Sequence, residues 1–423
     1  MKKVILFLAL LIMSVGVVAE NIERPHIDAK RGLNIEKVIA LGTSAEEDEK
    51  IEEGAVNEEL QEWQVVRKFS NEIEGEYPVD LKYQGTLPEN LSYIIIARPR
   101  INLREKPTTE SEIVAKAYEG KRYKVLELVE NDMGEEWYRI DTPEGEVFVY
   151  KKIVLFREFR FAKMEEKIGE LEGFIEGSIA SGMEVASVNA YIPNPNNEGL
   201  MRDTDKYGNV EDQSAVGYYK GTKVFVADRT IVAIEGEVGK RYRIIKQGGE
   251  EPYLDISMRR IDKRLVIDSM PRKAIVIDIK NQNLGVYERE EDTWKLISYT
   301  YSKTGIESRL GFKTPRGAFI VPTAKNFMIY NDAYGEKEGY AQYAIRFSGG
   351  GYIHGTPFNL TEEEELEKYR RIKESLLGSY PGTRKCVRNT LEHAEFLFDW
   401  VVGEERREGN FQGIEENVVV IVI

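Results

Sequence analysis

Residues 273–290 read KAIVIDIKNQNLGVYERE, and their period decides the fold of the C-terminal third. Ile275, Ile277 and Ile279 alternate with Val276, Asp278 and Lys280, the period of two that a strand imposes on its faces. An Asn-rich turn then sends the chain back through a second strand. Downstream, WKLISYTYSKTG (294–305) supplies another strand. In GFKTPRGAFIVPTAK (311–325), Pro315 and Gly317 make a tight approach to a strand over Ala318–Val321. AQYAIRFSGGGYIHGTPF (341–358) follows, and VVVIVI (418–423) is an apolar run suited to an interior strand.

Upstream, residues 93–156 hold five short runs rich in β-branched and aromatic residues: YIIIA, EIVAKAY, RYKVLELVE, EWYRID and EVFVYKKIV. Pro99, Pro107, Gly120, the Asn131–Gly134 turn, Pro143 and Gly145 punctuate them, which predicts a small barrel. A helical patch from Phe159 to about Leu171 opens a linker over 157–184. A second β-rich region, 185–263, carries ASVNAYI, GTKVFVA, TIVAIEG, KRYRIIK and PYLDIS, with a long polar loop from Pro193 to Gly217. Residues 20–92 read as an acidic spacer with a helical segment. Nine acidic residues face one lysine, Lys50, between Glu46 and Glu62, and Trp63, Val66 and Phe69 at spacing three suit a docked helix.

Lys2 and Lys3 precede a 15-residue apolar run, Val4–Val18, with Val17 and Ala19 at the positions of a cleavage site. That is the pattern of a signal peptide over 1–19, with an uncleaved membrane anchor as the alternative. Either way the mature chain is expected outside the cytosol, secreted, periplasmic or held in the envelope. A formal net charge of −14 without a concentrated basic face argues against nucleic acid as a partner. Cys386 is the single cysteine, so no internal disulfide framework exists and the thiol is either buried or kept for chemistry. One cysteine and three scattered histidines (His26, His354, His393) do not compose a zinc site, and no metal or cofactor is called for.

Two resemblances attach to these patterns. INLREKPTTESEIVAKAYEGKRYKVLE (101–127), followed by EWYRI and GEVFV, resembles a bacterial SH3 domain over about 93–156, although Val147-Phe148-Val149 stands where that family has Gly-Trp-Val. The resemblance implies a module that holds cell-wall peptides or packs beside a catalytic domain, with Trp137 and Tyr138 in its core or rim. GYYKGTKVFV and RYRII repeat its rhythm, so 185–263 reads as a second, degenerate SH3-like barrel. Residues 272–423 resemble the L,D-transpeptidase (YkuD-like) catalytic domain. The carriers are the opening strand pair, the Thr314-Pro315-Arg316-Gly317 turn, Tyr352-Ile353-His354-Gly355-Thr356, Cys386-Val387-Arg388-Asn389 and the helix after it. The implied architecture is mainly β and multidomain: SH3-like barrels, then a β-rich catalytic domain with a few helices.

The second resemblance implies roles. Cys386 is the nucleophile, His354 its base, and the Gly355 carbonyl holds the imidazole tautomer. The family pattern Ser/Thr-His-Gly-Cys stands here as Thr383-Arg384-Lys385-Cys386. A Cβ at Lys385 restricts φ where backbone amides of Arg384, Lys385 and Cys386 are expected to form the oxyanion hole. Against that, Arg384, Lys385 and Arg388 place positive charge around the thiol and lower its pKa. Tyr352, Thr383, Arg384, Arg388 and Asn389 are expected to shape the pocket and bind the stem. Polar neighbours argue that Cys386 is accessible rather than a buried small hydrophobe.

Thr390 is expected to cap a helix with Leu391, Ala394, Leu397, Phe398 and Val401 on its apolar face, ending at Gly403. His393 falls off that stripe and is expected in solvent. An inserted helix over 362–377, opened by a Thr361/Glu364 capping box, carries Leu366, Tyr369, Ile372 and Leu376 on one face and stops at Gly378. It is a lid over the cleft or a plain spacer.

The expected function is a peptidoglycan L,D-transpeptidase with a cysteine acyl-enzyme, which joins the third residue of a tetrapeptide stem to an amine of another stem. Two alternatives stand beside it: an L,D-carboxypeptidase that uses water, and a non-catalytic wall-binding scaffold with a degenerate site. The partners are peptidoglycan stem peptides, with a wall-attached protein as an alternative acceptor.

Overall fold

The computed structural model of the protein describes residues 63–191, 213–263, 267–308, 311–331, 337–359, 363–404 and 406–423. The expected signal peptide, the acidic stretch Glu46–Glu62, most of the loop after Pro193 and Thr361 of the expected capping box lie outside the described residues.

The first sheet is built from β1 (Trp63–Lys68), β2 (Ser92–Ile96), β3 (Arg100–Arg104), β4 (Ile113–Tyr118), β5 (Arg122–Asn131), β6 (Glu136–Thr142), β7 (Gly145–Tyr150) and β8 (Val154–Glu158). Its order is β4-β3-β7-β6-β5-β2-β8, with β1 paired to β5. Ile94, Ile96, Leu103, Val125, Ile140 and Val149 close one core within it. The expected helix at Trp63–Phe69 is instead a strand: Trp63 sits opposite Asn131 and its ring meets Phe148 edge-on at 5.0 Å. Adjacent Val65 and Val66 favour that extended backbone, because β-branched side chains pack better on a pleated surface than in a helix. EVFVYKKIV, read as one strand, breaks into β7 and β8 at a 3-10 turn over Lys151–Ile153.

Helix α1 (Phe161–Ala180) runs well past the expected end at Leu171. Met164, Ile168, Leu171 and Ile175 keep one buried stripe going, which outweighs the poor helix propensity of Gly169, Gly173 and Gly177. The second sheet comprises β9 (Glu184–Val188), β10 (Ser214–Tyr219), β11 (Thr222–Ala227), β12 (Ile231–Val238), β13 (Arg241–Lys246), β14 (Leu254–Ser257) and β15 (Ile261–Asp262), in the order β11-β10-β14-β13-β12-β9-β15.

The C-terminal module stacks two sheets. One contains β16 (Lys273–Asp278), β17 (Asn283–Glu290), β18 (Thr293–Tyr301), β19 (Gly317–Ile320) and β26 (Val418–Val422), in the order β18-β17-β16-β26-β19. β16 lies at its centre and pairs in parallel with β26, so Ala274–Ile277 are buried on both faces. The other contains β20 (Thr323–Asn331), β21 (Lys337–Ser348), β22 (Gly351–His354), β23 (Phe358–Asn359), β24 (Val387–Arg388) and β25 (Phe411–Gln412). Helices α2 (Glu363–Ser375) and α3 (Leu391–Val402) complete the module. Ile275, Phe319, Ile345, Phe347, Ile353, Val387, Leu397 and Phe398 share one core; each such burial is worth ~1.5–3 kcal/mol before chain entropy is charged against it.

Both upstream sheets grip this module. From the first, Tyr93 Oη donates to the Gly378 carbonyl at 2.9 Å, Arg122 to that of Ser375 at 2.9 Å and Arg157 to that of Ser379 at 3.0 Å. All three acceptors lie at or just beyond the C-terminal end of α2. From the second, the Asp228 carboxylate receives the Arg346 guanidinium, Arg229 O accepts from Ile320 N at 3.1 Å, and Gln213 fills the space beside Gly349. No described helix is long and apolar enough to cross a membrane.

Candidate active site

Two short strands set the site. β22 and β24 pair in parallel, with Ile353 opposite Val387 and His354 opposite Arg388. Ile353 and Val387 point into the core. Strand alternation therefore turns Tyr352, His354, Cys386 and Arg388 to the opposite face, side by side on strands about 4.8 Å apart. The sequence named all four, and the topology brings them together.

His354 is buried, and its Nδ1 lies 2.6 Å from the Gly355 carbonyl. A carbonyl only accepts, so Nδ1 carries the proton and Nε2 keeps a lone pair. Burial, with a smaller push from Arg388, brings the imidazole pKa down to about 4 against the opposing pull of the Gly355 contact. The ring is neutral at pH 7 and ready to accept a proton. The next turn is anchored from both sides: Gly355 N donates to Gln342 O at 3.1 Å and Asn389 N to His354 O at 2.9 Å. A Cβ on Gly355 would come within 2.8 Å of Leu391 Cδ1 and 3.3 Å of its Cα, so a side chain here would crowd the start of α3.

The thiol is less open than its polar neighbours suggested: Cys386 is 8% exposed and packs with Ala344 and Tyr352. Its Sγ lies 3.7 Å from the Gly350 carbonyl. The loop before it is clamped. Thr383 Oγ1 donates to Cys386 O at 2.5 Å, and Thr314 Oγ1 donates to Lys385 O at 2.8 Å while accepting from Gly305 N at 2.7 Å. Lys385 holds φ at +111°, in the region that favours glycine. The position that is glycine in the family pattern thus takes a backbone conformation suited to glycine here, although the residue is lysine.

Three expectations for side chains need correction. Thr383 faces its own loop rather than a ligand, because its hydroxyl is used on Cys386 O. Asn389 is fully buried rather than open to the pocket, its side-chain amide without a hydrogen-bond partner among the described residues. The positive cluster is also partly spoken for: Arg384 pairs with Glu338 at 3.4 Å, and the Lys385 ammonium donates to Gly349 O at 2.5 Å. Tyr352 stays at the site, and burial raises its phenol pKa to about 12, so it presents a neutral hydroxyl.

His393, expected in solvent, is fully buried. Its Nε2 lies 2.8 Å from Ser298 Oγ and Tyr83 meets its ring edge-on at 4.9 Å. The reason is the segment before Tyr83: Asp80 N and Lys82 N donate to Leu296 and Ile297 carbonyls, which lays residues 78–83 along β18 and over α3. Thr390 does cap α3, accepting from His393 N at 3.2 Å, and Gly403 ends it with φ +77°.

On the expected stripe Ile372 is 54% exposed, while Tyr369 and Leu376 are half-buried. The hold of α2 on the site is polar. Glu374 Oε1 accepts from Thr356 Oγ1 at 3.0 Å and from Leu391 N at 3.0 Å, which joins the end of α2 to the His354 turn and to the start of α3. A carboxylate at a helix N-terminus is also favoured by the helix dipole. The sequence offers Thr314 only as part of the turn that carries the resemblance, with no role, and gives no signal for Glu374 or Gly349, because each acts through contacts between distant segments.

Residues 272–421 match the family described as the L,D-transpeptidase catalytic domain, and residues 99–152 match the bacterial SH3 domain. No curated protein matches the chain. Among solved structures, a fused Zn-dependent amidase/peptidase/peptidoglycan-binding protein from Clostridium acetobutylicum is 15% identical over 36% of this chain, with a TM-score of 0.23. The chain spans about half of that protein, 52%. An L,D-transpeptidase from Mycobacterium smegmatis is 12% identical over 50% of this chain and 99% of its own, with a TM-score of 0.26. An L,D-transpeptidase from Mycobacterium tuberculosis is 15% identical over 56% and 89%, with a TM-score of 0.25.

Proposed function

We propose that the protein is a cysteine-dependent peptidoglycan L,D-transpeptidase of the cell envelope. The observation that carries this reading is the shared face of His354 and Cys386, with His354 Nδ1 committed to Gly355 O and Nε2 left as a base. In the reaction, Nε2 takes the thiol proton as Sγ attacks the carbonyl of the third stem residue. The tetrahedral oxyanion sits against the amides of Arg384, Lys385 and Cys386. Collapse breaks the amide bond, the imidazolium returns the proton to the leaving amine, and D-alanine departs from a thioester on Cys386. The amine of a second stem attacks that thioester and loses a proton to Nε2. The thiolate leaves and is reprotonated, which restores thiol and neutral imidazole. The SH3 module raises the local concentration of an insoluble polymer at the site.

The test is mass spectrometry of tetrapeptide-bearing muropeptides incubated with the protein and with Cys386→Ala. Dimers linked between two third residues, formed by the wild type alone, are the expected result. Tripeptides without dimers would make water the acceptor. Unchanged tetrapeptide beside a folded wild-type protein would sink the enzymatic reading in favour of a wall-binding scaffold.

A further inference from the structure

Basic side chains around this face differ in what balances them. Arg346 is met by Asp228, Arg384 by Glu338, and Lys385 is turned onto Gly349 O. Lys325 is different. It lies on β20, opposite Ala344 on one side and Phe411 on the other. Its ammonium stands 5.3 Å from the Tyr352 ring centroid and 4.7 Å from that of Phe411. Among the described residues it makes no ion pair or hydrogen bond; its partners are two ring faces.

Such a cation is poorly solvated. Lys325 is half-buried, and burial together with nearby Arg346 lowers its pKa. Ring faces recover only a fraction of the lost hydration and supply no counter-charge. An anion arriving here would gain a charge-assisted hydrogen bond in a partly dry setting. The position suits the reaction, because Tyr352 joins the two: its ring packs with Cys386 and also carries the Lys325 ammonium. Tyr352 thus touches both the thiol and the ammonium.

We infer that Lys325, backed by Tyr352 and Phe411, anchors a carboxylate of the donor peptide beside the Cys386 thiol. The inference rests on the proposed action on stem peptides. A tetrapeptide stem offers carboxylates of one chemistry from three sources: the second residue, the side chain of a diaminopimelate third residue, and the terminal D-alanine.

The experiment is calorimetric titration of the full chain carrying Cys386→Ala, which binds without turnover. The probes are synthetic L-Ala-γ-D-Glu-diaminopimelate-D-Ala and three versions with one carboxylate amidated at a time. Adding Lys325→Met is expected to weaken the all-acid peptide roughly 10- to 100-fold, the worth of one charge-assisted contact. One amidated peptide should bind the Lys325 protein equally weakly and be indifferent to Lys325→Met, which identifies the carboxylate. Lys325→Arg should keep most of the affinity. Equal losses for all four peptides, or a change under twofold, would overturn the inference and leave Lys325 a packing residue. So would the absence of any binding. Turnover by the wild type, measured separately, distinguishes a failure here from a failure of the proposed reaction.

Discussion

The ammonium of Lys385 donates to the carbonyl of Gly349 at 2.5 Å, one carbonyl away from the Gly350 oxygen that lies 3.7 Å from Cys386 Sγ. The residue before the thiol thus binds the same hairpin turn as the thiol. This is how the chain tolerates a side chain in a backbone conformation suited to glycine. Thr314 fixes the Lys385 carbonyl, the ammonium fixes the far end, and Gly305 leaves room, since a Cβ there would stand 2.6 Å from Lys385 Cα.

The two contributions of Lys385 separate by substitution. A strained φ costs of order 1–3 kcal/mol, and an unpaired buried carbonyl costs about the same. Lys385→Met keeps the strain and removes the ammonium, so stability should fall by roughly 1–3 kcal/mol. Lys385→Gly loses the same contact and relieves the strain, so its loss should be smaller. Urea denaturation of both variants gives the ordering. A glycine variant less stable than the methionine one would mean that φ +111° carries no strain here.

The acid limb of activity follows from His354. Its base form is required, and burial holds its pKa at about 4. Protonation therefore removes the base only as pH falls through about 4, not through the ordinary histidine value near 6.5. A profile of kcat/KM on a tetrapeptide donor should stay flat from pH 7 to about 5 and drop tenfold per unit below 4, in a range where the fold is verified by circular dichroism. An acid limb centred near 6.5 would show that the imidazole is solvated during turnover.

What could be read in advance was what short-range pattern dictates. The alternation at 273–290 became β16 and β17, with Ile277 opposite Leu284. The Thr390 cap and Gly403 stop bound α3 as expected. The pairing of Tyr352-Ile353-His354 with the Cys386 segment rested on resemblance, because a parallel pair between strands more than 30 residues apart leaves no local signal. Misreadings share one cause. The sequence neighbours of His393 and Cys386 point to solvent, whereas Tyr83 and Tyr352 cover them from other segments. The spacing of three in Trp63–Phe69 suits a helix, but three residues cannot distinguish it from a strand whose partner, β5, lies some 60 residues away.

Two buried neutral histidines make stability pH-dependent. Burial lowers His354 to about 4 and His393 to about 3, while both titrate near 6.5 in the unfolded chain. Between about pH 6.5 and 4 the unfolded state binds protons that the folded state does not. Stability is therefore complete above 6.5 and falls with acid, by up to about 1.4 kcal/mol per pH unit per histidine. His393→Gln keeps a group able to meet Ser298 and removes one titration. The fall in unfolding free energy from pH 6.5 to 4.5 should be shallower in that variant than in the wild type. Equal slopes would show that His393 is protonated in the fold.

The Asp228–Arg346 pair bears on how the middle sheet holds the site. Both side chains are buried; Asp228 also accepts from Ala190 N at 2.7 Å, and the Arg346 guanidinium lies 4.2 Å over the Tyr191 ring. Arg346 sits opposite Tyr352 in the β21–β22 hairpin, so the pair joins the second sheet to the strand that leads into His354. Replacing Asp228 leaves the Arg346 charge buried and unbalanced, at a cost of about 3–5 kcal/mol; replacing Arg346 leaves Asp228 only its longer contact to Arg229, at 3.7 Å, and replacing both with apolar groups costs far less. Asp228→Leu and Arg346→Met should each lower the unfolding free energy strongly, and the double variant should recover more than half of the larger loss. Hydrogen exchange would locate the damage at 228–230 and 345–353 together if the contact couples the sheets. Additive losses would reduce the pair to two independent packing sites and remove the middle sheet from the support of the active site.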